Sequence, residues 1–273
     1  SDKNIGKVTR VEVGLSTKDD FRFIRLVHEI NPNEISKSWF RHVKGGDYNE
    51  IYSDYHLVVN WKNDGKELEE YIIKKYPYLK GNANWVLHRE CNYGRAALTW
   101  TSRTTSDFSI RVLPKGFIFS VKGPAISSDD PKVIKNTLTL LLSQEYSELI
   151  NMQVAAADVA ARSYEISIIK SLPYLTITGN KTNPIDVFYL IRKLRLKKED
   201  SNFFSFHDFK NSVKDIVEIN LLETNAIRSR INKMRTLISK ELQYQRFYLN
   251  IEKQKSLDYA CLDGSCDRLQ IAL

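Results

Sequence analysis

The chain has 273 residues, 42% hydrophobic and 27% charged, an ordinary globular composition with room for one large domain or two modest ones. No run of eighteen apolar residues occurs, so no membrane span is predicted. The 41 basic residues outnumber the 33 acidic ones, and a net charge of +8 favours phosphate backbones or anionic lipid as partners.

In chain order, residues 8–15 alternate apolar and polar side chains and predict a strand. Helices are predicted over 19–30 and 65–75, the second with Leu68, Ile72 and Ile73 on one stripe, and the apolar run Leu57-Val58-Val59-Asn60-Trp61 lies between them. Residues 107–114 alternate again, with Phe108, Ile110 and Val112 on one face, and 117–121 repeat the pattern. Two such runs across Pro114-Lys115-Gly116 predict a hairpin. A helix is predicted over 131–150, with Pro131 in its first turn and Asp129 or Asp130 as cap. Ile134, Leu138, Leu141, Leu142 and Tyr146 form its buried face. Residues 166–172 predict a strand stopped by Pro173.

From Thr182 the composition changes to an apolar stretch over 187–196, a charged aromatic linker over 197–209 and a long helix over 213–253. On that helix Ile227, Ile231, Met234, Ile238 and Leu242 recur at helical spacing, a stripe that either packs on its own domain or meets a partner helix. The last dozen residues are expected to be weakly ordered. The expected fold class is α+β, a mixed β-sheet domain with flanking helices over 1–180 and a long-helix segment over 181–273.

The chain opens Ser-Asp-Lys-Asn-Ile-Gly-Lys, without an initiator Met or a signal-peptide pattern, as an expressed fragment with Ser1 as a tag remnant is expected to open. Cys91, Cys261 and Cys266 make no disulfide framework, and the last two are too loosely spaced for a zinc site without companion ligands. Free thiols in a cytoplasmic protein are expected. No Walker loop, H-E-x-x-H or G-x-S-x-G occurs, and Gly116 and Gly123 flank a strand without forming a nucleotide-binding glycine loop. His28, His42, His56, His88 and His207 are scattered and are read as packing or surface residues.

Asp54 followed by Asp64-Gly65-Lys66 has the spacing of a metal-dependent nuclease site, with two acidic ligands and a lysine near the attacking water. The same Asn63-Asp64-Gly65 is a strong turn sequence, and the turn is the preferred reading. Between residues 39 and 124 basic, aromatic and small polar side chains interleave. In Trp39-Phe40-Arg41-His42-Val43-Lys44-Gly45-Gly46-Asp47-Tyr48, cations flank a glycine pair whose amides can approach phosphate closely. Thr99-Trp100-Thr101-Ser102-Arg103-Thr104-Thr105-Ser106 sets hydroxyls around one guanidinium, groups that contact phosphates and base edges. A solvated polar loop is the alternative there.

Several segments resemble the C-terminal target-recognition region of adenine-specific DNA methyltransferases of the phage-exclusion (BREX, PglX) type and of the related type IIG fused restriction–modification enzymes. The first is Gly14-Leu15-Ser16-Thr17-Lys18-Asp19-Asp20-Phe21-Arg22-Phe23-Ile24-Arg25. The family usually has Thr-Gly-Asp-Asn there, so Lys18 stands for the glycine and Asp20 for the asparagine. The most specific match pairs Lys44-Gly45-Gly46-Asp47-Tyr48 with Val58-Val59-Asn60-Trp61-Lys62-Asn63-Asp64-Gly65. A third comprises Ala97-Leu98-Thr99-Trp100-Thr101, Phe108-Ser109-Ile110-Arg111, Pro114-Lys115-Gly116-Phe117-Ile118-Phe119 and Gly123-Pro124-Ala125-Ile126. A fourth, over 140–175, is similar to a stretch shared with specificity subunits of type I restriction systems.

The resemblance implies a target-recognition domain over 1–180 that grips double-stranded DNA, and a helical spacer or docking region over 181–273; self-association through the helix is the expectation its apolar stripe raises. It implies no cofactor in this chain. S-adenosylmethionine is expected in the methyltransferase domain of the same polypeptide, because the Pro-Pro-aromatic loop that holds a flipped adenine is absent here. The DNA contacts expected are Arg22, Lys44, Lys62, Arg89, Arg95, Arg103, Thr104, Thr105 and Arg111. Lys44 and Lys62 suit phosphate, and Arg103 with Thr104 and Thr105 suits base edges. Trp61 and Trp100 are read as core anchors. The other functional classes in view are the nuclease above and a helical interaction module.

Overall fold

A computed structural model describes residues 3–154, 161–177, 184, 185, 187–189, 229, 231–233 and 235–240. The strands among them are short: β1 (Arg10–Glu12), β2 (Ile24–Leu26), β3 (Trp39–Val43), β4 (Leu57–Asn60), β5 (Ala97–Thr99), β6 (Arg103–Thr104), β7 (Arg111–Leu113), β8 (Phe117–Phe119), β9 (Ala125–Ser127) and β10 (Arg162–Ser163). The helices are α1 (Ile5–Val8), α2 (Asp20–Phe23), α3 (Lys62–Lys75), α4 (Asn84–Leu87), α5 (Pro131–Leu141), α6 (Gln144–Gln153) and α7 (Ile166–Ser171). One sheet has the order β1-β9-β5-β7 and is antiparallel throughout. The second has the order β2-β4-β3-β8, and its β3–β8 ladder is parallel, with His42 opposite Ile118. The fold class is α+β.

Ladders this short are marginal on their own; the side chains above and below them hold the sheets together. Successive residues of a strand face opposite ways. On the first sheet Leu98 and Ile126 face a cluster with Leu138, Leu141, Tyr146, Ile150 and Ile169 of α5, α6 and α7. Their neighbours Ala97, Leu113 and Ala125 face the other way and meet Val43, Phe117 and Phe119 of the second sheet. Ile118, between those two phenylalanines, turns outward with Val59 onto Leu68 and Ile72 of α3. The layers therefore run helices, sheet, sheet, helices. Each fully buried leucine or isoleucine contributes roughly 1.5–3 kcal/mol, so the three apolar clusters outweigh the few ladder hydrogen bonds.

Several local expectations hold. The Asp130 carboxylate caps α5 by accepting from the Lys132 N–H at 2.8 Å, with Pro131 in the first turn. Trp61 and Trp100 are core residues, 6% and 0% exposed, and Trp100 donates its indole N–H to the Tyr164 carbonyl at 2.8 Å.

Others are corrected. The helix expected over 131–150 is two, because Ser143 adopts an extended backbone and its hydroxyl caps α6 by accepting from the Tyr146 N–H. The helix expected over 19–30 stops at Phe23, since Ile24, Arg25 and Leu26 pair with β4. The hairpin expected across Pro114-Lys115-Gly116 does not form; β7 pairs with β5 and β8 with β3, so that turn passes the chain from one sheet to the other. The strand expected over 166–172 is the helix α7, which buries Ile169 beside α1.

Beyond residue 183, the helical residues 184, 185, 187–189, 229, 231–233 and 235–240 are described. Val187, Phe188 and Ile238 are buried in the cluster on the first sheet, and Ile231 packs against it. At Ile231 and Ile238 the stripe thus faces the chain's own core. Ile227, Met234 and Leu242 lie outside the described residues, as do the linker over 197–209, most of the helix over 213–253 and the last dozen residues.

Candidate nucleic-acid interface

One edge of the molecule gathers the loops that follow the strands. Because β3 and β8 are parallel, they run out together, β3 into Lys44-Gly45-Gly46 and β8 into Ser120-Val121-Lys122-Gly123. The two loops touch backbone to backbone: a Cβ on Gly123 would sit 2.7 Å from the Gly45 nitrogen. The chain leaving β5 joins them. Thr101 donates its hydroxyl to the Gly46 carbonyl at 2.8 Å, and the Ser102 N–H donates to the Lys122 carbonyl at 3.0 Å. Behind the loops lies Arg111, fully buried, which donates to the Thr101 hydroxyl oxygen at 2.8 Å and to the Asp47 carbonyl at 3.2 Å. Burial lowers its pKa from the usual arginine value, yet guanidinium stays charged.

Arg111 therefore acts on this edge as a brace. Arg111→Ala leaves those two acceptors without their donor and is expected to cost about 2 kcal/mol in urea unfolding. Arg111→Lys is expected to recover less than half, since one ammonium replaces a fork that reaches both partners. Full recovery by lysine contradicts the bridging role.

The next part of the edge is β6, which carries Arg103 and Thr104. It pairs with β10, and Tyr164 fastens it by donating its N–H to Ser102 and its hydroxyl to Ser106. Arg103 and Thr105 are exposed and Thr104 is half-buried. The structure thus brings together Lys44, Arg103, Thr104, Thr105 and, beneath them, Arg111. Lys122 and Thr101 belong to the same edge and were not singled out from sequence. Lys122 sits beside a quoted Gly123-Pro124 motif, and only the parallel pairing of β3 with β8 brings it near Lys44.

The remaining expected contacts lie elsewhere. β4 runs antiparallel to β3, so Lys62 and the turn at Asn63-Asp64-Gly65 emerge at the opposite end of the second sheet. All three turn residues have left-handed backbone, and the Gly65 hydrogen faces the Trp61 ring, where a Cβ would come within 2.8 Å. Arg89 holds this turn through two hydrogen bonds to the Asp64 carbonyl and a two-pronged pair with Glu69 at 3.0 Å. That bond to Glu69 raises the Arg89 pKa and lowers that of Glu69. Arg95 lies at the far end of the first sheet, where it pairs with Asp129 near Arg10. Arg22 pairs with Glu67 at 2.9 Å on α3 and lies over the rings of Phe23 and Tyr71.

Four of the expected contacts thus already have carboxylate partners, and exposure separates them. Arg22 and Glu67 are each 51% exposed, and the Arg95–Asp129 pair is more than half exposed on both sides. Such exposed pairs are worth about 0–1 kcal/mol. Arg89 is more enclosed and is committed to its turn. Lys44 pairs with Asp20, and its pKa is lowered by burial and by the nearby charge of Lys122.

The carboxylates considered for a nuclease do not converge. Asp54 precedes β4 and accepts from the Tyr52 hydroxyl at 2.6 Å, whereas Asp64 follows β4 and pairs with Arg89 at 3.4 Å. Among the described residues no three His, Cys, Asp or Glu side chains are grouped to hold a metal ion. Cys91 is a half-buried free thiol with its pKa pushed up to about 12 by burial and by Glu12 and Glu90, the opposite of a reactive thiolate. Cys261 and Cys266 lie outside the described residues. Among the described residues no helix is long and apolar enough to cross a membrane.

No protein-family model matches the chain. It is 27% identical over 172 residues to the adenine-specific methyltransferase PglX of Lacticaseibacillus casei (strain Zhang), covering 59% of this chain and 14% of that protein. It is 30% identical over 145 residues to the adenine-specific methyltransferase BrxX of Escherichia coli O9:H4 (strain HS), covering 50% of this chain and 11% of that one. Its fold is similar to part of MmeI, a type IIL restriction–modification enzyme solved in complex with DNA, with a TM-score of 0.55 at 15% identity over 89% of this chain and 34% of MmeI. The chain is therefore related in sequence to a minor part of the BREX-type adenine-specific methyltransferases PglX and BrxX, and carries a fold found in a restriction–modification enzyme.

Proposed function

We propose that this chain is the DNA target-recognition part of an adenine-N6 methyltransferase of a phage-exclusion or restriction–modification system. One observation carries the reading: three loops, at 44–47, 101–105 and 120–123, meet at one edge where Lys44, Arg103 and Lys122 are flanked by hydroxyls and bare backbone. Lysines there bind backbone phosphates. Arg103, with Thr104 and Thr105, reads base edges in the major groove. Arg22, Lys62 and Arg95 lie away from this edge, Lys62 and Arg95 at the opposite ends of the two sheets, and add phosphate contacts only where the duplex extends beyond it; Arg111 braces the loops, and Arg89 holds the turn at Asn63-Asp64-Gly65. Residues 181–273 serve as a helical spacer or docking region. The methyltransferase domain of the parent polypeptide binds S-adenosylmethionine and transfers the methyl group, and this chain chooses the site.

Fluorescence anisotropy with a short labelled duplex tests the reading. Affinity is expected to fall steeply between about 50 and about 200 mM salt. Lys44→Gln is expected to reduce the slope of log affinity against log salt by about one, equally for every sequence. Arg103→Ala, in contrast, is expected to relax discrimination at one base pair by about 1–3 kcal/mol. Undetectable or salt-insensitive binding refutes the proposal.

A further inference from the structure

Between residues 15–20, β3 and the turn after β8 lies a cavity of about 240 Å3, lined by Thr17, Lys18, Asp20, His42, Lys44 and Lys122 among others. It is smaller than the roughly 300–1,000 Å3 typical of drug-sized sites. Its charge is unbalanced. Asp20 accepts from Lys44 and from the Thr17 hydroxyl, but among the described residues no carboxylate pairs with Lys18 or Lys122. A separate observation comes from the cavity wall. His42 is 1% exposed, its Nδ1 lies 2.9 Å from the Ile118 carbonyl, and its Nε2 is buried without a partner. The carbonyl can only accept, so Nδ1 carries the hydrogen and Nε2 is left as a bare lone pair. Buried polar atoms in that condition call for an explanation, and a missing ligand is one.

We propose that this cavity is a phosphate subsite, in which the ammonium groups of Lys18, Lys44 and Lys122 hold the anion's charge and His42 Nε2 contacts one of its oxygens. The contact requires a proton between the two acceptors: a phosphodiester carries none, so there the imidazole takes one from solvent as the anion enters and Nε2–H donates to a phosphate oxygen, whereas inorganic phosphate can also donate its own P–O–H to Nε2. The charged groups around the ring are Lys44 on its own strand, Lys18 and Asp20 on the segment across it, and Lys122 on the turn after β8. On β4 the facing residue is Leu57, and the neighbouring His56 is exposed. A phosphate therefore adds the negative charge that favours the imidazolium against three lysines. The chemistry fits a backbone phosphate of DNA or a free phosphate. Assigning the backbone as its source rests on the duplex-binding reading; the anion site itself does not.

The test is a titration of the whole chain, labelled with 15N-histidine, with inorganic phosphate, followed by NMR, and then with a short duplex. His42 Nε2 is expected to move from the bare-nitrogen region toward the protonated one as phosphate is added. The Lys18→Gln/Lys122→Gln variant, altered only at exposed positions, is expected to need about tenfold more phosphate for the same change. Duplex that displaces phosphate from His42 supports the subsite and names the DNA backbone as its source. Phosphate binding at His42 without duplex binding keeps the subsite, assigns it to free phosphate and overturns the DNA reading. A His42 resonance unmoved by phosphate or duplex, in protein that still binds duplex, overturns the subsite and leaves DNA recognition standing.

Discussion

Gly14→Ala is expected to destabilise the protein by about 4 kcal/mol, a large share of the roughly 5–15 kcal/mol that holds a domain folded. At Gly14 the chain passes directly against β8: an added Cβ would sit 2.0 Å from the Phe119 carbonyl oxygen and 2.6 Å from its ring. Neither can yield cheaply. That carbonyl accepts from the Leu15 N–H at 3.1 Å, the Leu15 carbonyl accepts from the Val121 N–H at 3.1 Å, and the Phe119 ring is packed between the sheets. Overpacking of this kind costs about 1–3 kcal/mol, and each strained hydrogen bond adds about 1 kcal/mol. Gly116→Ala separates this from backbone strain alone. Gly116 has φ +88 but nothing within 4 Å of an added Cβ, so only about 1 kcal/mol is expected there. Urea midpoints for the two variants check the contrast, and similar losses at both positions remove the steric account.

The second large effect is set by pH. Burial moves the His42 pKa from 6.5 down to about 4, and the bond to the Ile118 carbonyl opposes this only in part. The folded value lies below the unfolded one. Between the two, the unfolded chain binds a proton that the folded chain refuses, so stability is full above 6.5 and is lost as pH falls toward 4. The whole span corresponds to about 3 kcal/mol, of which about 2 kcal/mol is expected between about pH 7 and about pH 5. Glu69 and Glu90 have lowered pKa values and act below that window. Unfolding free energies across it should flatten in His42→Gln. An unchanged slope in that variant contradicts a neutral buried imidazole.

Local signals in the sequence were legible where the chain answers to its near neighbours. Asp130-Pro131 announces α5, and the stripe through Leu68 and Ile72 announces α3. The motif match at Lys18 has a backbone counterpart. The family usually has glycine there, and Lys18 has φ +57, a conformation glycine takes without strain. The failures came where a distant partner decides. The isoleucine-rich run Ile166-Ser167-Ile168-Ile169 suggests a strand, yet the i, i+3 pair of Ile166 and Ile169 suits a helix packed on the same core. Leu113 and Phe117 look like two sides of a hairpin, but both supply the core between the sheets from different layers. The candidate site was half legible for the same reason. Composition located Lys44 and Arg103. Lys122, and the burial of Arg111, depend on a strand pairing that no local pattern encodes.

That pairing also bears on how the chain reaches its fold. Arg41 meets Phe117 and Arg10 meets Ser127, so neither sheet can close until strands far along the chain from its first members have been made. Contacts of such long range must meet the entropy of loop closure before they gain anything, which makes high contact order slow. During synthesis β1 emerges before β9 and waits, an unpaired edge, until that partner has followed it. The cationic edge is thus among the last features to assemble, because its loops depend on strands that are separated in sequence and joined late.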